Sequence, residues 1–369
     1  MWANPQNLSQ VVSPIWTAWK YTGLPVYRFD TVNQKFVSVN TRTYFFGLLI
    51  LSLVLFLCVQ NVFTDDGFVV VNDGINFSQM LILFISNSCT VFLSYRKRKD
   101  FSRILSELDL TETRIEKLTK KRISYHADVR KVVLIILATK YGLIATGCLV
   151  DCANLVGEEV NMILYYILFS IYFHFEIIIV TYLVVLKRQY REINGYLKSL
   201  RVKVLTNYEI REILKVYSVL RQNFTMIKKG FDSIIVVKVI RDIIVTTTGI
   251  FFVLETYNVG NTQFLFTTLT NVIWGTTTAL TNFLIPVILH DISDQDKFLK
   301  LHVAELLHNI KKHLKTFDNQ LVLFTIKTVF SKIDLKISGL FSYDCTYITW
   351  MIASVTTYVV YLVQFEEPR

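Results

Sequence analysis

Charge is scarce along this chain. Asp, Glu, Lys and Arg make up 18% of 369 residues, against about 25% in ordinary soluble domains. A chain so poor in charge and 52% hydrophobic, with a mean hydropathy of +0.42, falls outside the disordered and highly solvated classes and reads as an integral membrane protein. Proline (5) and glycine (13) are too few for long disordered linkers. Cysteine is also rare, and its number is odd. Cys58, Cys89, Cys148, Cys152 and Cys345 lie mostly inside apolar runs, which excludes a disulfide framework. The first forty residues lack an apolar stretch long enough for a cleavable signal peptide, so the first span is expected to serve as the targeting signal. No Gly-rich phosphate loop, metalloprotease helix or nucleophile elbow occurs, so neither enzymatic chemistry nor a cofactor is expected. His302, His308 and His313 are spaced too widely for a metal site and are expected on a solvated helix face.

What is present in quantity is apolar sequence in lengths that cross a bilayer. A spanning helix needs about 20 predominantly apolar residues, and seven segments qualify: 43–63, 74–95, 132–150, 160–186, 233–254, 264–289 and 343–365. The predicted fold class is therefore an all-α integral membrane protein with seven transmembrane helices. Lys and Arg in the connections set its orientation. Residues 1–42 carry four, 64–73 none, 96–131 twelve, 151–159 none, 187–232 eleven, 255–263 none and 290–342 eight. Every second connection lacks positive charge, which predicts a cytoplasmic amino terminus and an extracellular carboxyl terminus, the reverse of a G-protein-coupled receptor. The net charge of +10 then faces anionic membrane lipid, and nucleic acid is excluded as a partner. The sequons at Asn7 and Asn223 fall in cytoplasmic segments and that at Asn76 lies at the membrane surface, so none is expected to be glycosylated.

The basic connections are themselves patterned. Ile104, Leu105, Leu108, Ile115, Leu118 and Ile123 recur at helical spacing over 100–130, as do Ile210, Ile213, Leu214, Tyr217, Leu220 and Phe224 over 207–226. Spans two to six are thus predicted to continue as helices beyond the membrane. The segment 319–330, "NQLVLFTIKTVF", is too short to span and reads as an interfacial or buried helix. The chain divides into an amino-terminal segment 1–42, spans one to six with their extensions over 43–289, anchor helices over 290–342, and the last span with its tail over 343–369.

The last span is unusual. At 100° per residue, Tyr343, Thr346, Trp350, Ala353, Ser354, Thr357, Tyr361 and Gln364 fall in an arc of roughly 100°. The opposite arc, Ile348, Met351, Ile352, Val355, Val359, Leu362 and Val363, holds no polar atom. Lipid offers no hydrogen bonds, so such a stripe must face protein or water. A helix–helix seam with Ser and Thr as glue is one reading, and the wall of a water-filled pathway is the other.

Thr357-Tyr358, five residues, then Gln364-Phe365 near the end of the sequence resembles the carboxyl-terminal signature of insect gustatory receptors. So does the preceding "GLFSYDCTYITW", with Gly339, Phe341 and Asp344 in place. The resemblance implies a ligand-gated nonselective cation channel, a homotetramer or a hetero-oligomer with related receptors, with four copies of the last helix around one pore. It implies that Gln364 and Phe365 form the gate, with Tyr361, Thr357 and Ser354 along the pore wall. It also implies a tastant pocket in the outer half of spans two to six, where suitable side chains are Tyr165, Tyr166, Phe169 and Tyr172 on span four. Span five offers Thr248, Phe251, Phe252 and Glu255, and span six Phe266, Asn271 and Trp274. Val359 stands where sugar-sensing members often carry an acidic residue, which favours a bitter or other non-sugar compound. The family's setting is the plasma membrane of sensory neuron dendrites. A seven-span signalling receptor without a pore, or an odorant-type receptor subunit, is the alternative.

Lys140, Glu176 and the Arg241-Asp242 pair are ionisable residues inside spans three, four and five at similar depth. They are expected either to meet as one polar cluster or to snorkel independently. The charge alternation has a direct check: a tag after Arg369 should stain on intact cells and one before Met1 only after permeabilisation. Staining in the opposite pattern would invert the assignment.

Overall fold

The computed structural model describes residues 8, 26–30, 35–39, 44, 47–52, 71–123, 129–154, 159–200, 207–257, 262–313 and 333–366. An antiparallel hairpin of β1 (Val26–Asp30) and β2 (Lys35–Val39) comes first. The helices follow: α1 (Val71–Arg96), α2 (Arg98–Thr119), α3 (Lys131–Asn154), α4 (Glu159–Ser199), α5 (Asn207–Tyr257) and α6 (Thr262–His313). A second hairpin, β3 (Lys336–Ile337) with β4 (Phe341–Ser342), leads into α7 (Cys345–Glu366). The predicted spans two to seven each fall on a helix. Of the first, Tyr44 and residues 47–52 are helical and the remainder lies outside the described residues, as does 319–330.

Length separates the helices into two kinds. At 1.5 Å per residue the 24 residues of α3 cover about 36 Å, close to the hydrocarbon thickness. The 41, 51 and 52 residues of α4, α5 and α6 run to about 60–80 Å. About a third of α4 and about half of α5 and α6 therefore project past the membrane, at the end of the bundle where the basic connections lie. α2 extends α1 there, after a single turn at Lys97 whose N–H still reaches the Leu93 carbonyl at 2.9 Å. That extension ends short of its predicted length. Lys120 takes the left-handed conformation (φ 54) and stops α2, and the Glu116 carboxylate accepts the Ile123 N–H at 3.0 Å. Of the predicted helix over 100–130, α2 thus covers the part to Thr119, and 124–128 lie outside the described residues.

The arrangement is layered around α4 and α6. α6 packs on α3, α4, α5 and α7, and α4 also receives α1 and α2. From Leu168 to Leu186 α4 is almost wholly buried, which accounts for a stretch apolar on every side. α3 is as apolar yet peripheral, with Ile135 63% and Leu149 72% exposed toward the lipid. Inside the bilayer such helices gain nothing from leaving water and hold together by close packing and polar contacts. Beyond it the ordinary hydrophobic effect operates. There Phe101, Ile104, Leu105, Leu108 and Ile115 of α2 are buried against α4 and α5. His302, expected on a solvated face, is buried in the α6 extension beside Glu305; the side chains of His308 and His313 lie outside the described residues. Asn223, whose sequon was expected to stay unmodified, is buried and donates to Thr111 at 2.8 Å.

The first hairpin departs from a purely helical plan. Tyr27 and Phe36 are buried, the Phe36 N–H donates to Ser106 Oγ at 3.0 Å, and Ser102 Oγ donates to the Phe36 carbonyl, which fixes β2 along α2.

Two glycines on the extensions should respond oppositely to substitution. A Cβ on Gly230 would meet Ile104 at 3.0 Å and Phe101 at 3.3 Å, whereas one on Gly195 meets nothing within 4 Å. Gly230→Val is expected to destabilise by about 1–3 kcal/mol through overpacking of α2 on α5. Gly195→Ala is expected to stabilise by about 0.5–1 kcal/mol. Thermal melts of the detergent-solubilised protein would register both; equal effects would contradict this packing.

Candidate functional site

Three sets of side chains stand out in the membrane half, and they are contiguous. The deepest is ionic. Lys140 of α3 reaches the Glu176 carboxylate of α4 and lies 3.4 Å from Thr281 Oγ1 of α6. Lys238 of α5 reaches the same carboxylate at 3.0 Å, pairs with Asp242 one turn along its own helix, and donates to Asn282 Oδ1 of α6 at 2.5 Å. The Arg241 guanidinium lies 3.5 Å from Glu176, and its Nε donates to Asp242 at 2.8 Å. The charged side chains are all 3% exposed or less. The structure thus brings together Lys140, Glu176, Arg241 and Asp242, and adds three partners the sequence analysis did not name: Lys238, Thr281 and Asn282. Lys238 carried a readable signal, standing four residues before Asp242 in a span, the spacing at which opposite charges meet on a helix.

Three cations face two carboxylates, and aromatic faces take up part of the excess. Arg241 lies 3.3 Å above the ring of Tyr172 and 5.9 Å from that of Phe169, and Lys140 is 4.6 Å from the ring of Phe173. Ring faces attract cations most strongly where water is absent.

The second set continues from this one toward the opposite end of the bundle. Tyr166, Phe169 and Tyr172 recur every three residues on α4. Trp274 of α6 meets Tyr166 at 4.9 Å and Phe169 edge-on at 4.3 Å between ring centroids. Gly147 of α3 leaves room for Tyr166, whose hydroxyl would stand 3.0 Å from a Cβ there. Thr248 of α5 accepts a hydrogen bond from Gln79 of α1, a partner not foreseen, and the Asn271 amide lies against Gly249. Phe251 is buried one turn beyond Thr248. The side chains of Tyr165, Phe252, Glu255 and Phe266 lie outside the described residues.

The third set is α7. The second hairpin sets its start: Ser338 (φ 48) and Gly339 (φ +72) make the turn, a left-handed pair in which glycine is unstrained. The Ser338 N–H donates to Asp232 of α5 at 2.7 Å. Asp344 caps the helix, accepting from the Thr346 N–H at 2.9 Å and its hydroxyl at 2.6 Å. Tyr347 and Val355 are buried and Met351 half-buried, where α7 packs on α5 and α6. Of the predicted polar arc, Thr346, Trp350, Ala353, Thr357, Tyr361 and Gln364 are exposed and Ser354 is half-buried. They point away from the chain's own bundle. Tyr343 does not belong to that exposed face: it is buried, its ring 4.7 Å from that of Tyr347, because it precedes the helix and follows the hairpin inward. The Phe365 side chain lies outside the described residues. Ser354 and Thr357 donate their hydroxyl hydrogens to carbonyls one turn back, Trp350 at 3.0 Å and Ala353 at 2.8 Å. Their oxygens are left as outward-facing acceptors.

The ionic set predicts unequal costs. Glu176 is approached by three cations, so Glu176→Gln leaves them with one carboxylate, and a loss of about 3–5 kcal/mol is expected. Lys140→Met leaves two cations against two carboxylates and should cost less. The exchange of Lys140→Glu with Glu176→Lys should not rescue, because it sets a third positive charge against Lys238 and Arg241. Surface biotinylation and detergent melts would rank the variants; a Lys140→Met loss as large as that of Glu176→Gln would refute the shared network.

Residues 12–367 match the family model described as 7tm Chemosensory receptor. No curated protein matches the sequence. Among solved structures, the insect olfactory receptor OR5 from Machilis hrabei superposes with a TM-score of 0.71 at 10% identity, over 97% of this chain and 99% of that one. The same receptor in complex with eugenol gives 0.64 at 10% identity over the same shares. At that identity the likeness concerns the fold, a seven-transmembrane helical bundle. With the family match spanning nearly the whole sequence, the chain belongs to the 7tm chemosensory receptors, a family of membrane receptors and not of enzymes.

Proposed function

We propose that this chain is a gustatory receptor that acts as a ligand-gated, nonselective cation channel in the plasma membrane of a sensory neuron. Its amino terminus is cytoplasmic, and four subunits place their α7 helices around one pore, as a homotetramer or together with related receptors. The observation that carries this reading is the face of α7. Its polar arc is turned from the subunit's own helices, and its Ser354 and Thr357 oxygens are left as acceptors, the chemistry that suits a hydrated cation. Gln364, at the far end of that arc, and Phe365, next to it in sequence, form the gate. Tyr166, Phe169 and Trp274, with Thr248 and Asn271 as polar groups, line the pocket for a small, largely apolar tastant, and Gly147 gives Tyr166 the room to stand there. Val359 in place of an acidic residue favours a non-sugar compound. The extensions of α4, α5 and α6 and the segment 290–342 form a cytoplasmic anchor.

The likeness of the fold to an olfactory receptor supports a second reading, an odorant-type subunit with the same channel architecture. A panel containing volatile odorants, bitter compounds and sugars, applied to cells expressing the chain during whole-cell recording, separates the two.

A hydrophobic constriction excludes ions by dewetting, and in a tetramer each substitution acts four times over. Phe365→Ala is therefore expected to raise ligand-free current severalfold. Gln364→Ala should change conductance or ion preference more than apparent ligand affinity. Val359→Ala, half-buried on the opposite face, should leave the basal current near that of the parent. Leak from Val359→Ala with parental behaviour of the other two would make the polar arc a packing seam.

A further inference from the structure

A second site lies outside the pocket and the α7 face, at the level where the charged extensions give way to the apolar spans. A cavity of about 350 Å³ opens between α5 and the β3–β4 hairpin. Its charged lining among the described residues is Arg221, Lys228, Lys229 and Lys336, with Asp232 and Asp334. Both carboxylates are engaged. Asp334 accepts from Lys228 at 2.5 Å and from the Lys336 N–H at 3.0 Å, and these hydrogen bonds, that of Lys228 first, hold its carboxyl below the ordinary range. Asp232 accepts the Ser338 N–H at 2.7 Å. Arg221 lies 3.7 Å from Asp296. Lys229 and Lys336 are exposed, and among the described residues neither has a carboxylate within ion-pair distance. The lining thus sets four cations against two carboxylates, with Lys229 and Lys336 in no ion pair among the described residues, a positive excess that suits an anion.

The surroundings indicate what that anion is attached to. Lys228, Lys229 and Asp232 stand directly before the apolar stretch of α5 that begins at residue 233, and the hairpin stands directly before the apolar course of α7. Two charge-to-apolar boundaries flanking one cavity place it at the membrane surface. The strand alternation sorts the hairpin accordingly. Leu335 and Ile337 line an apolar crevice against α4 and α5, while Lys336 lines the cavity. Next in sequence to Gly339 of the lining, Leu340 is 70% exposed, an apolar side chain that an acyl chain could meet. The volume leaves room for a phosphorylated polyol, well beyond a single small ion.

We propose that this cavity binds a phosphate-bearing anion, presented at the membrane surface as the headgroup of an acidic phospholipid, with Lys229 and Lys336 as its principal ligands. Because one wall is the hairpin that starts α7, the bound lipid bridges α5 and α7.

The test uses the purified full chain in detergent, so it does not depend on channel activity or on the tastant. Thermal melts are recorded with increasing dioctanoyl phosphatidylinositol bisphosphate, with soluble inositol trisphosphate, and with dioctanoyl phosphatidylcholine. The expected result is a saturable rise in Tm with the acidic lipid, a weaker rise with the soluble anion and none with phosphatidylcholine. The Lys229→Gln/Lys336→Gln double variant should raise the apparent Kd of the acidic lipid about tenfold or more. It should melt like the parent without ligand, since both side chains are exposed, and Lys198→Gln, on an exposed position of α4, should leave the Kd unchanged. Equal responses to the soluble anion and the lipid would overturn the lipid assignment and leave a phosphate site. No saturable response to either anion, or an unaltered Kd in the double variant, would overturn the site.

Discussion

Glu176 draws three cations from two neighbouring helices into the middle of an apolar bundle, and the geometry of the membrane half is organised around that convergence. Ions removed from water recover their solvation only from partners held in fixed positions. α3, α4 and α5 therefore cannot slide or rotate independently without exposing a charge to hydrocarbon. α6 joins them through Thr281 and Asn282, one turn from Pro286. That proline has no N–H to return to the Asn282 carbonyl. The polar residues of α6 thus lie where its own backbone ladder is one bond short.

Around this point the chain uses two kinds of adhesion. In the bilayer, close contact and ionic geometry specify the arrangement, because apolar helices are as well solvated by lipid as by one another. In the extensions, burial of Phe101, Ile104, Leu108 and their counterparts on α4 and α5 gains ordinary hydrophobic free energy, about 1.5–3 kcal/mol for each large side chain removed from water. The ionic set specifies and the extensions stabilise. The aromatic set rests on both, since Arg241 stacks on Tyr172 from below and Trp274 closes over Phe169 from the side.

Much of this was legible from hydropathy and charge. The spans over 74–95 and 132–150 fall on α1 and α3 within a few residues, because twenty apolar residues bounded by basic ones admit few alternatives. The polar arc of α7 lies on exposed positions apart from Tyr343, which belongs to the hairpin approach, and half-buried Ser354. Ile352 of the opposite arc is exposed as well, because α7 packs on its own subunit along a narrow strip. Other features were not accessible. α3 and α4 are equally apolar, and nothing in their composition says that α4 is enclosed while α3 faces lipid; that depends on which helices surround them. The end of α2 at Lys120 turns on one left-handed residue, and the seating of β1 and β2 on α2 depends on serine hydroxyls seventy residues away in sequence. Lys238 is hard to read from sequence, because a lone lysine in a span invites a snorkelling explanation, although its partner stands one turn further on.

The pairing of Lys140 with Glu176 also bears on how such a chain is made. α3 and α4 are consecutive and antiparallel, so they emerge from the ribosome as a hairpin in which one ammonium already meets one carboxylate. α5 follows with Lys238 and Asp242 paired within its own turn. Each unit is thus close to electrically neutral before the next is synthesised, and Arg241 is the one cation of the cluster left for docking to settle. The order of the charges along the chain lets the translocon release these helices in sequence, without holding an unpartnered carboxylate until a distant helix arrives.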